Sequence, residues 1–437
     1  MIFRSAGQLL KKAEELGMDL PWQDSIAPLF SPLNIAEKKV PNRIAVQPME
    51  GCDSTPKGAP DDLTFRRYRR YAQGGNGLIW FEASSVSAAG RSNPRQLLLT
   101  TATVGGFKRL VETTRIAARD RFGSSWNPYL VLQLTHCGRF SKASRRSKPK
   151  AACFNPYWDQ SPGRVDVYRD DELARIRDRF VSAALLAQQA GFDAVDIKAC
   201  HGYLLSELLS AFTRADSSYG GSFEDRTRLL LEIVRRISES APRLAVAVRL
   251  NATDAIPLGF GVERNGTATP DLSEPLRLQQ MLKVAGCVLL NVSAGVPSRT
   301  PQVSRPFNRP MRGAERPAVH PLAGVNSLIQ WAAAFQKAQP TLPVVGSGYS
   351  PLHRFWPHVG AAVVAGGGAS FIGLGRGSFA YPDAALDLMT DEKLDPGKCC
   401  IACSCCSELL KNNQVAGCVI RDAAIYKKAY RNIGKRK

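Results

Sequence analysis

The chain has 437 residues, of which 44% are apolar and 22% are charged, and its formal net charge is +20. A chain of this size and composition can bury a large core, and it suits one large α/β barrel or two ordinary domains. Its longest apolar stretches are strand-length or broken by glycine, well short of the roughly 20 apolar residues that a spanning helix needs. No membrane span is therefore expected.

The first 22 residues, "MIFRSAGQLLKKAEELGMDLPW", predict an amphipathic helix that carries acids as well as bases. They lack the apolar core and the small-residue cleavage site of a secretory signal peptide. The eleven cysteines are then best interpreted as reduced thiols, with a possible metal site where they are dense. Together these features predict a cytoplasmic protein.

Three basic segments supply most of the positive charge, at residues 65–72, 138–150 and 426–437. The first predicts a helix whose apolar stripe of Phe65, Tyr68 and Ala72 is buried and whose arginines lie in water. The second predicts an exposed loop, and the third is the C-terminal tail. No nucleic-acid-binding motif or set of stacking aromatic residues accompanies them, so a solvated basic surface is expected and nucleic-acid binding is not.

Eight apolar, β-rich segments recur along the chain with helical patterns between them. Near-continuous apolar strands that alternate with helices are typical of a parallel sheet covered on both faces, and eight of them predict a closed (β/α)8 TIM barrel. The predicted organisation is a lead-in segment at 1–40, a barrel at 41–385 and a cysteine-rich extension at 386–437. The eight segments are "NRIAVQPM", "GLIWFEA", "YLVLQLTH", "AVDIKACH", "LAVAVRLN", "CVLLNVSAG", "LPVVGSG" and "SFIGLGRG".

Polar residues and glycines stand where these predicted strands end, the face of a barrel at which chemistry gathers. Glycine pairs close the last two strands and Arg376 follows them, which favours a phosphorylated ligand bound by backbone N–H groups and a guanidinium. Neither "GSGYS" nor "GLGRG" completes a dinucleotide-binding GxGxxG after a first strand, so a Rossmann domain is not expected. The residues at these ends are Gln133, Lys198, His201, Tyr203, Arg249, Gly346, Gly348, Gly373, Gly375 and Arg376.

Several of these segments together resemble the Old Yellow Enzyme family of FMN-dependent NAD(P)H oxidoreductases. The stretches "NRIAVQPM", "GLIWFEAS", "LQLTHCGR", "HGYLLSELLSAFTRADSSYGGSFEDRTR", "AVRLN" and "FIGLGRGSFAYPD" carry the resemblance, which covers roughly residues 25–385. The chain is most similar to the branch that includes bacterial 2,4-dienoyl-CoA reductases. The resemblance implies FMN as cofactor and NAD(P)H as co-substrate.

The resemblance also implies which residues contact the flavin. Pro48 and Met49 would place backbone against the isoalloxazine ring, Ala83 would line the same wall, and Gln133 would bond the pyrimidine edge. Arg249 would stabilise negative charge near N1 and O2. The phosphate cradle would consist of Gly346, Ser347, Gly348, Gly375 and Arg376.

Catalytic roles follow from the same resemblance. His201 would hydrogen-bond the activating carbonyl of the substrate, and Tyr203 would protonate the α carbon after flavin N5 delivers hydride to the β carbon. Lys198 departs from the His or Asn that many ene-reductases carry there, and a lysine offers a point charge in place of a directional donor. It could polarise a carbonyl, bind a carboxylate substrate or pair with an acid. Glu50, beside the flavin, is a second departure, and a Glu50–Lys198 pair is a hypothesis for both.

Four cysteines in the extension, Cys400, Cys403, Cys406 and Cys418, have the spacing C-x2-C-x2-C-x11-C. Such thiolates can hold a [4Fe–4S] cluster or a structural zinc ion. Relatives in the dienoyl-CoA reductase branch carry a [4Fe–4S] cluster after the barrel, usually with one more residue between the second and third ligands. The cluster is therefore the first expectation, zinc the second and a metal-free tail the third.

The function predicted is reduction of an activated alkene or enoyl-type small molecule by an FMN-dependent, NAD(P)H-using oxidoreductase. A demethylase or dehydrogenase of the same family is the nearest alternative. An RNA-directed flavin reductase is a further alternative that the charge of +20 suggests, although its catalytic cysteine and RNA-binding domain cannot be placed in the sequence.

Overall fold

A computed structural model describes residues 2–142, 149–159, 161 and 165–433. Part of the predicted exposed loop at 138–150 and the last four residues of the predicted tail lie outside the described residues. Among the helices described, none is long and apolar enough to cross a membrane.

The predicted eight-stranded parallel barrel is confirmed. A short antiparallel hairpin, β1 and β2, precedes it, and the barrel closes where β10 pairs with β3 through Leu374 and Val46. Each barrel strand lies within one of the eight predicted segments or extends at most two residues beyond it. The strands are β1 (Leu33–Ile35), β2 (Lys38–Val40), β3 (Ile44–Val46), β4 (Leu78–Ser85), β5 (Tyr129–Thr135), β6 (Ala194–Ala199), β7 (Ala245–Asn251), β8 (Cys287–Ser293), β9 (Val344–Gly346) and β10 (Phe371–Leu374).

Helices cover the outside of the barrel and continue into the C-terminal extension. They are α1 (Ala6–Glu15), α2 (Asp62–Gln73), α3 (Val104–Phe122), α4 (Asp170–Ala190), α5 (Leu204–Leu209), α6 (Phe223–Ser240), α7 (Ser273–Val284), α8 (Pro301–Ser304), α9 (Pro321–Ala338), α10 (Trp356–Ala365), α11 (Arg376–Ala380), α12 (Ala384–Asp391), α13 (Cys405–Lys411) and α14 (Ala423–Ile433). The amphipathic helix predicted near the N-terminus is α1, which Ser5 caps through the N–H of Gln8.

The barrel strands are apolar along almost their whole length because both of their faces are buried. One face fills the barrel interior, where the large rings of Trp80, Tyr129 and Phe371 pack together. The other face packs against the surrounding helices, as Leu130 and Val195 do. The lead-in helix α1 belongs to this outer layer, since Leu9 packs in one cluster with residues of α10 and β10. A filled interior leaves the strand ends as the place for a site.

Residues 65–72 form the predicted helix. The prediction that all of its arginines lie in water is wrong for Arg67. Tyr68 and Ala72 are buried in α2, while Arg67 is buried as well. The Arg67 guanidinium donates to both carboxylate oxygens of Asp53, at 2.7 and 2.9 Å, and to Glu82 at 2.6 Å. Helical periodicity places Arg67 beside the apolar stripe, and two acids from outside the helix compensate its charge there.

The cysteine-rich extension packs on the barrel near the loop after β3. Arg66 and Arg70 of α2 both donate to the Asp422 carboxylate, at 2.7 to 3.1 Å. The backbone N–H of Ala416 donates to the Gly51 carbonyl at 2.7 Å. The extension therefore contacts the chain one residue after Glu50.

Candidate active site

The polar residues predicted at the strand ends are brought together at the carboxyl mouth of the barrel. Lys198 on β6 and Arg249 on β7 are direct register partners, and Arg249 is in turn the partner of Asn291 on β8. Tyr203 follows β6 and Arg376 follows β10, so both lie beyond the same end of the ring.

The Lys198 ammonium lies over the ring of Tyr203, with 3.7 Å between Nζ and the ring centroid. This is a cation–π contact, which gains strength where water is excluded. Burial lowers the pKa of Lys198, although Cys200, Cys137 and Glu50 act in the opposite direction. Burial raises the pKa of the Tyr203 phenol well above its usual range. Tyr203 therefore holds its proton at neutral pH, as a proton donor must.

His201 is held by Ser293, a residue that the sequence analysis did not select. His201 Nε2 lies 2.7 Å from Ser293 Oγ, and Arg249 Nη2 donates to the same oxygen at 3.5 Å. Burial, followed by the charges of Arg249 and Lys198, holds the pKa of His201 well below its usual range, so the imidazole is neutral. Ser293 Oγ can donate to Nε2 or accept from it, so this contact occupies Nε2 in either tautomer and leaves Nδ1 for another partner.

Glu50 and Lys198 do not form the direct ion pair of the sequence hypothesis. Glu50 Oε1 instead accepts from the Ser92 hydroxyl and the Asn93 amide, each at 2.5 Å. Burial raises the pKa of Glu50, and Ser92, Lys198 and Asn93 act to lower it. The two charges therefore influence each other across the mouth without contact.

Gln133 lies in the barrel interior and donates from Nε2 to Asp196 Oδ2 at 2.6 Å. The Trp80 indole donates to the same oxygen at 2.8 Å, while Asp196 Oδ1 is buried without a partner. Burial raises the pKa of Asp196 to about 6. One N–H of Gln133 is thus engaged by the protein, which limits the bonds that Gln133 can offer to a flavin.

The ends of β9 and β10 carry the glycines of the predicted phosphate cradle. Within the described residues, the backbone N–H groups of Ser347, Gly348 and Gly375 have no protein acceptor. Gly348 has a positive φ of 96°, and a Cβ there would lie 2.6 Å from Leu328 Cδ1, so only glycine fits the turn. Free N–H donors on adjacent strands suit a phosphate.

Arg376, which is buried, directly follows Gly375 of the predicted cradle, and the partly buried Arg305 is its neighbour. Arg376 Nη2 donates to the Pro306 carbonyl at 2.6 Å, and its Nη1 is buried without a partner. Arg305, which the sequence analysis missed, also has a buried Nη1 without a partner, and burial together with the Arg376 charge lowers its pKa to about 10. Neither guanidinium has a carboxylate oxygen within 4.0 Å in the described part of the chain. Two neighbouring cations without an acid fit an anion such as the FMN phosphate.

The remaining predicted flavin contacts lie on the same side of the mouth. Pro48 and Ala83 are buried, and Met49 is half-buried. Met49 adjoins the cradle, because a Cβ on Gly375 would lie 3.0 Å from Met49 Sδ. The Ala83 carbonyl accepts from Gln96 Nε2 at 3.0 Å, which holds the end of β4.

The loop that carries Glu50 rests on the buried Arg67 network. Glu82 Oε2 accepts from the Gly51 N–H at 2.7 Å, and a Cβ on Gly51 would lie 2.3 Å from Arg67 Nη2. Burial raises the pKa of Glu82 to about 7. Two features of the sequence could have indicated this network: Gly51 directly follows Glu50, and Arg67 lies on the buried side of the helix α2 that comes next.

Cys400, Cys403, Cys406 and Cys418 line one small cavity in the extension together with Arg376. In the part of the chain that the structure describes, no three His, Cys, Asp or Glu side chains converge to hold a metal ion. The predicted ligands are therefore neighbours without the convergence that a single ion requires.

A sequence model of the NADH:flavin oxidoreductase / NADH oxidase family matches residues 28–269. The chain belongs to this family. The prediction of Old Yellow Enzyme membership is confirmed, and with it an oxidoreductase, while the narrower dienoyl-CoA reductase branch stays a prediction. Family membership supports FMN as cofactor and NAD(P)H as reductant.

Two curated relatives illustrate the span of this flavin oxidoreductase family. An NADPH dehydrogenase of Bacillus pumilus is 32% identical over 273 residues, which are 61% of this chain and 73% of the relative. An NADH oxidase of Thermoanaerobacter brockii is 27% identical over 365 residues, which are 81% of this chain and 50% of the relative. The chain thus spans only half the length of the second relative.

Among solved structures, a 2-naphthoyl-CoA reductase complex superposes with a TM-score of 0.73 at 20% identity, covering 91% of this chain and 57% of that one. Morphinone reductase superposes with a TM-score of 0.61 at 20% identity, covering 85% of this chain and 90% of that one. At this identity the similarity establishes the shared barrel fold of the flavin oxidoreductases.

Proposed function

We propose that the protein binds FMN at the carboxyl mouth of the barrel and uses NAD(P)H to reduce an activated alkene. The observation that carries this proposal is the position of the protonated Tyr203 phenol beside the neutral His201, at the mouth whose far side holds the anion cradle. Bound FMN would supply the chemistry of a two-electron carrier between NAD(P)H and the alkene.

The chain's own residues would position the cofactor. The free N–H groups of Ser347, Gly348 and Gly375 would donate to the phosphate, and Arg376 and Arg305 would compensate its charge. Pro48, Met49 and Ala83 would contact the ring, and Gly346 would keep β9 close to the cradle. Gln133 and Arg249 would face the pyrimidine edge, where the fixed Arg249 charge favours the anionic reduced ring.

Three residues would bind the substrate, protonate it and stabilise its developing charge. His201 would donate from Nδ1 to the electron-withdrawing group of the alkene, since Ser293 occupies its Nε2. Tyr203 would give its phenol proton to the α carbon, a positioned general acid that contributes about 10²–10⁴-fold. Lys198 would add positive charge beside the group on which negative charge develops.

Tyr203→Phe tests the proton donor. The variant should lose alkene reduction by about 10²–10⁴-fold, while NAD(P)H still bleaches the flavin absorbance at an undiminished rate in stopped flow. Tyr157→Phe, at an exposed tyrosine, is the matched control. Full alkene reduction by Tyr203→Phe would refute the role of Tyr203.

Cofactor binding has its own test. The purified protein should show the flavin absorption bands, and acid treatment should release FMN in a 1:1 ratio to the chain. A protein that releases no FMN and binds none when FMN is added would refute the whole assignment.

For the extension, we propose that Cys400, Cys403, Cys406 and Cys418 would hold a [4Fe–4S] cluster rather than zinc. A zinc ion needs four donors about 2.3 Å from one point, whereas in a cluster each cysteine binds a different iron, and the four sulfurs do not converge. Purified protein should contain iron and sulfide and show a brown shoulder that dithionite bleaches, and Cys400→Ser should lose it. Zinc at 1:1 without iron would contradict this proposal.

The amine demethylase or dehydrogenase alternative is disfavoured by the charges at the mouth. Lys198 and Arg249 are adjacent cations, and they would repel a protonated amine substrate by several kcal/mol at an effective dielectric of about 20. No contact in the described part of the chain favours the RNA-directed alternative, which stays a prediction from net charge.

A further inference from the structure

A cavity of about 460 Å3 lies between α9 and the segment that precedes it, residues 302–320. Its walls are mostly apolar and rigid, since Phe307, Trp331, Pro306 and Pro310 are among the residues that line it. Small-molecule sites in proteins usually enclose about 300–1,000 Å3 and are lined mainly by hydrophobic and aromatic side chains. The cavity has the size and the lining of such a site.

The cavity is separate from the mouth of the barrel. Tyr203 and Arg249 do not line it. Pro306 lies between the two places, because its carbonyl accepts from Arg376 while the residue also lines the cavity. A Cβ on Gly324 of α9 would lie 2.9 Å from Pro306 Cγ, so the helix and the segment are in close contact beside the cavity. The cavity is therefore a second place at which a ligand can bind.

Three polar side chains in the lining carry hydrogen-bond donors that the protein does not use. The Arg316 guanidinium, the Gln302 amide and the Trp331 indole N–H have no acceptor in the described part of the chain. None of the described residues that line the cavity is an Asp or a Glu. A cation and free donors without an acid suit an anionic acceptor.

The apolar and the charged parts of the cavity lie at different depths. Phe307 is only 6% exposed, whereas Arg316 is exposed. The ring of Trp331 and the proline rings offer flat surfaces against which another ring can pack. A ligand that matches this lining has an apolar ring system inside the cavity and a charged group at its rim.

From this arrangement we propose that the cavity binds a small aromatic anion, a flat ring system that carries one carboxylate, sulfonate or phosphate group. The rings pack against Phe307 and Trp331, and the anionic group accepts from Arg316 at the rim. No bond of the ligand is made or broken at this site. The site does not depend on the proposed function, because flavin and alkene would bind at the mouth.

Fluorescence titration of the purified protein tests the charge of the ligand. The probes are 8-anilinonaphthalene-1-sulfonate and N-phenyl-1-naphthylamine, its uncharged counterpart without the sulfonate. The wild type should bind the anionic probe about two- to fivefold more tightly than the neutral probe, the range of an exposed ion pair. Arg316→Gln should remove this preference. Arg119→Gln, at an exposed arginine of α3 outside the lining, is the matched control and should retain it.

A second pair of variants tests the position of the probe. Ser327→Phe adds a ring on the face of α9 that lines the cavity, and it should weaken both probes by at least about tenfold, because a probe ring can no longer be buried there. Gln330→Phe adds the same ring at an exposed position of α9 outside the lining, and it should bind both probes as the wild type does. Circular dichroism confirms that both variants are folded.

Equal affinity of the wild type for the two probes, or an unchanged preference in Arg316→Gln, overturns the inference. Undiminished binding by Ser327→Phe also overturns it, and a shift of the flavin absorption bands by the probe would then place the probe at the mouth. The proposed function is judged by FMN release and by Tyr203→Phe, so each proposal can fail without the other.

Discussion

Arg67 and Arg376 are two buried arginines near the adjacent strands β3 and β10, and they are 5% and 7% exposed. Arg67 pairs with two carboxylates in a network beneath Gly51, whereas Arg376 bonds one backbone carbonyl and, among the residues that the structure describes, pairs with no acid. An unpartnered atom does not separate them, since Arg67 Nε also lacks a hydrogen bond. The two arginines differ in whether their charge is compensated. A buried cation that is paired with carboxylates of the protein supports the structure, whereas a buried cation without such a partner is available for an anionic ligand.

The largest effect on stability is expected from substitution of Arg67, the arginine that two carboxylates neutralise. Arg67→Met leaves Asp53 and Glu82 buried without a cation, and it should lower the free energy of unfolding by about 3–5 kcal/mol. Urea titration followed by circular dichroism measures this loss. Arg69→Met, at an exposed arginine on the same helix, should change stability by no more than about 0.5 kcal/mol. Equal losses in the two variants would show that the network adds nothing.

Substitution of the arginines that lack a carboxylate partner should change ligand binding instead of stability. Arg376→Ala and Arg305→Ala should each weaken FMN binding by about 1.5–3 kcal/mol, the range for a hydrogen bond to a charged group. Riboflavin, which has no phosphate, should bind the variants and the wild type alike. Fluorescence titration of deflavinated protein with both ligands measures this, and an equal loss for riboflavin would move these arginines away from the phosphate.

Asp196 extends the comparison to a buried acid that only neutral donors hold. Burial raises its pKa to about 6 in the folded protein, above the ordinary value of an aspartate in an unfolded chain. The folded state therefore binds the proton more tightly, and the stability that this contributes is present below about pH 4 and lost as pH rises through 6. Asp196→Asn should flatten the decline in stability across this window by up to about 3 kcal/mol. Thermal unfolding at several pH values measures it, and parallel profiles for variant and wild type would exclude Asp196 as the source.

The smallest effect is expected where a charge is paired but partly in water. Asp422 joins the extension to Arg66 and Arg70, whose side chains are about a third exposed. Asp422→Asn should cost no more than about 1 kcal/mol, and the cost should shrink in high salt. Asp120→Asn, at an exposed acid of α3, is the control for a general charge effect. A large, salt-independent loss would place Asp422 in the same class as Arg67.

The difference between Arg67 and Arg376 also shows which features could be predicted from the sequence and which could not. Helical spacing identified the buried side of α2, but it could not show that Asp53 and Glu82 meet Arg67 there, because those acids come from other elements. The Glu50–Lys198 hypothesis failed for the same reason, since Ser92 and Asn93 reach Glu50 from a separate loop. Ser293 and Arg305 were missed because neither residue type stands out in its local sequence.

The sequence alone determined the barrel and the family, through the order of apolar runs and the stretch around Tyr203. The glycines that end the last two strands also predict an anion cradle. These features are local, because strand burial, positive φ and backbone N–H donors depend on neighbouring residues. Which charges are neutralised was decided only by the tertiary structure, since a carboxylate near in space can be hundreds of residues away, as Asp422 is from Arg66.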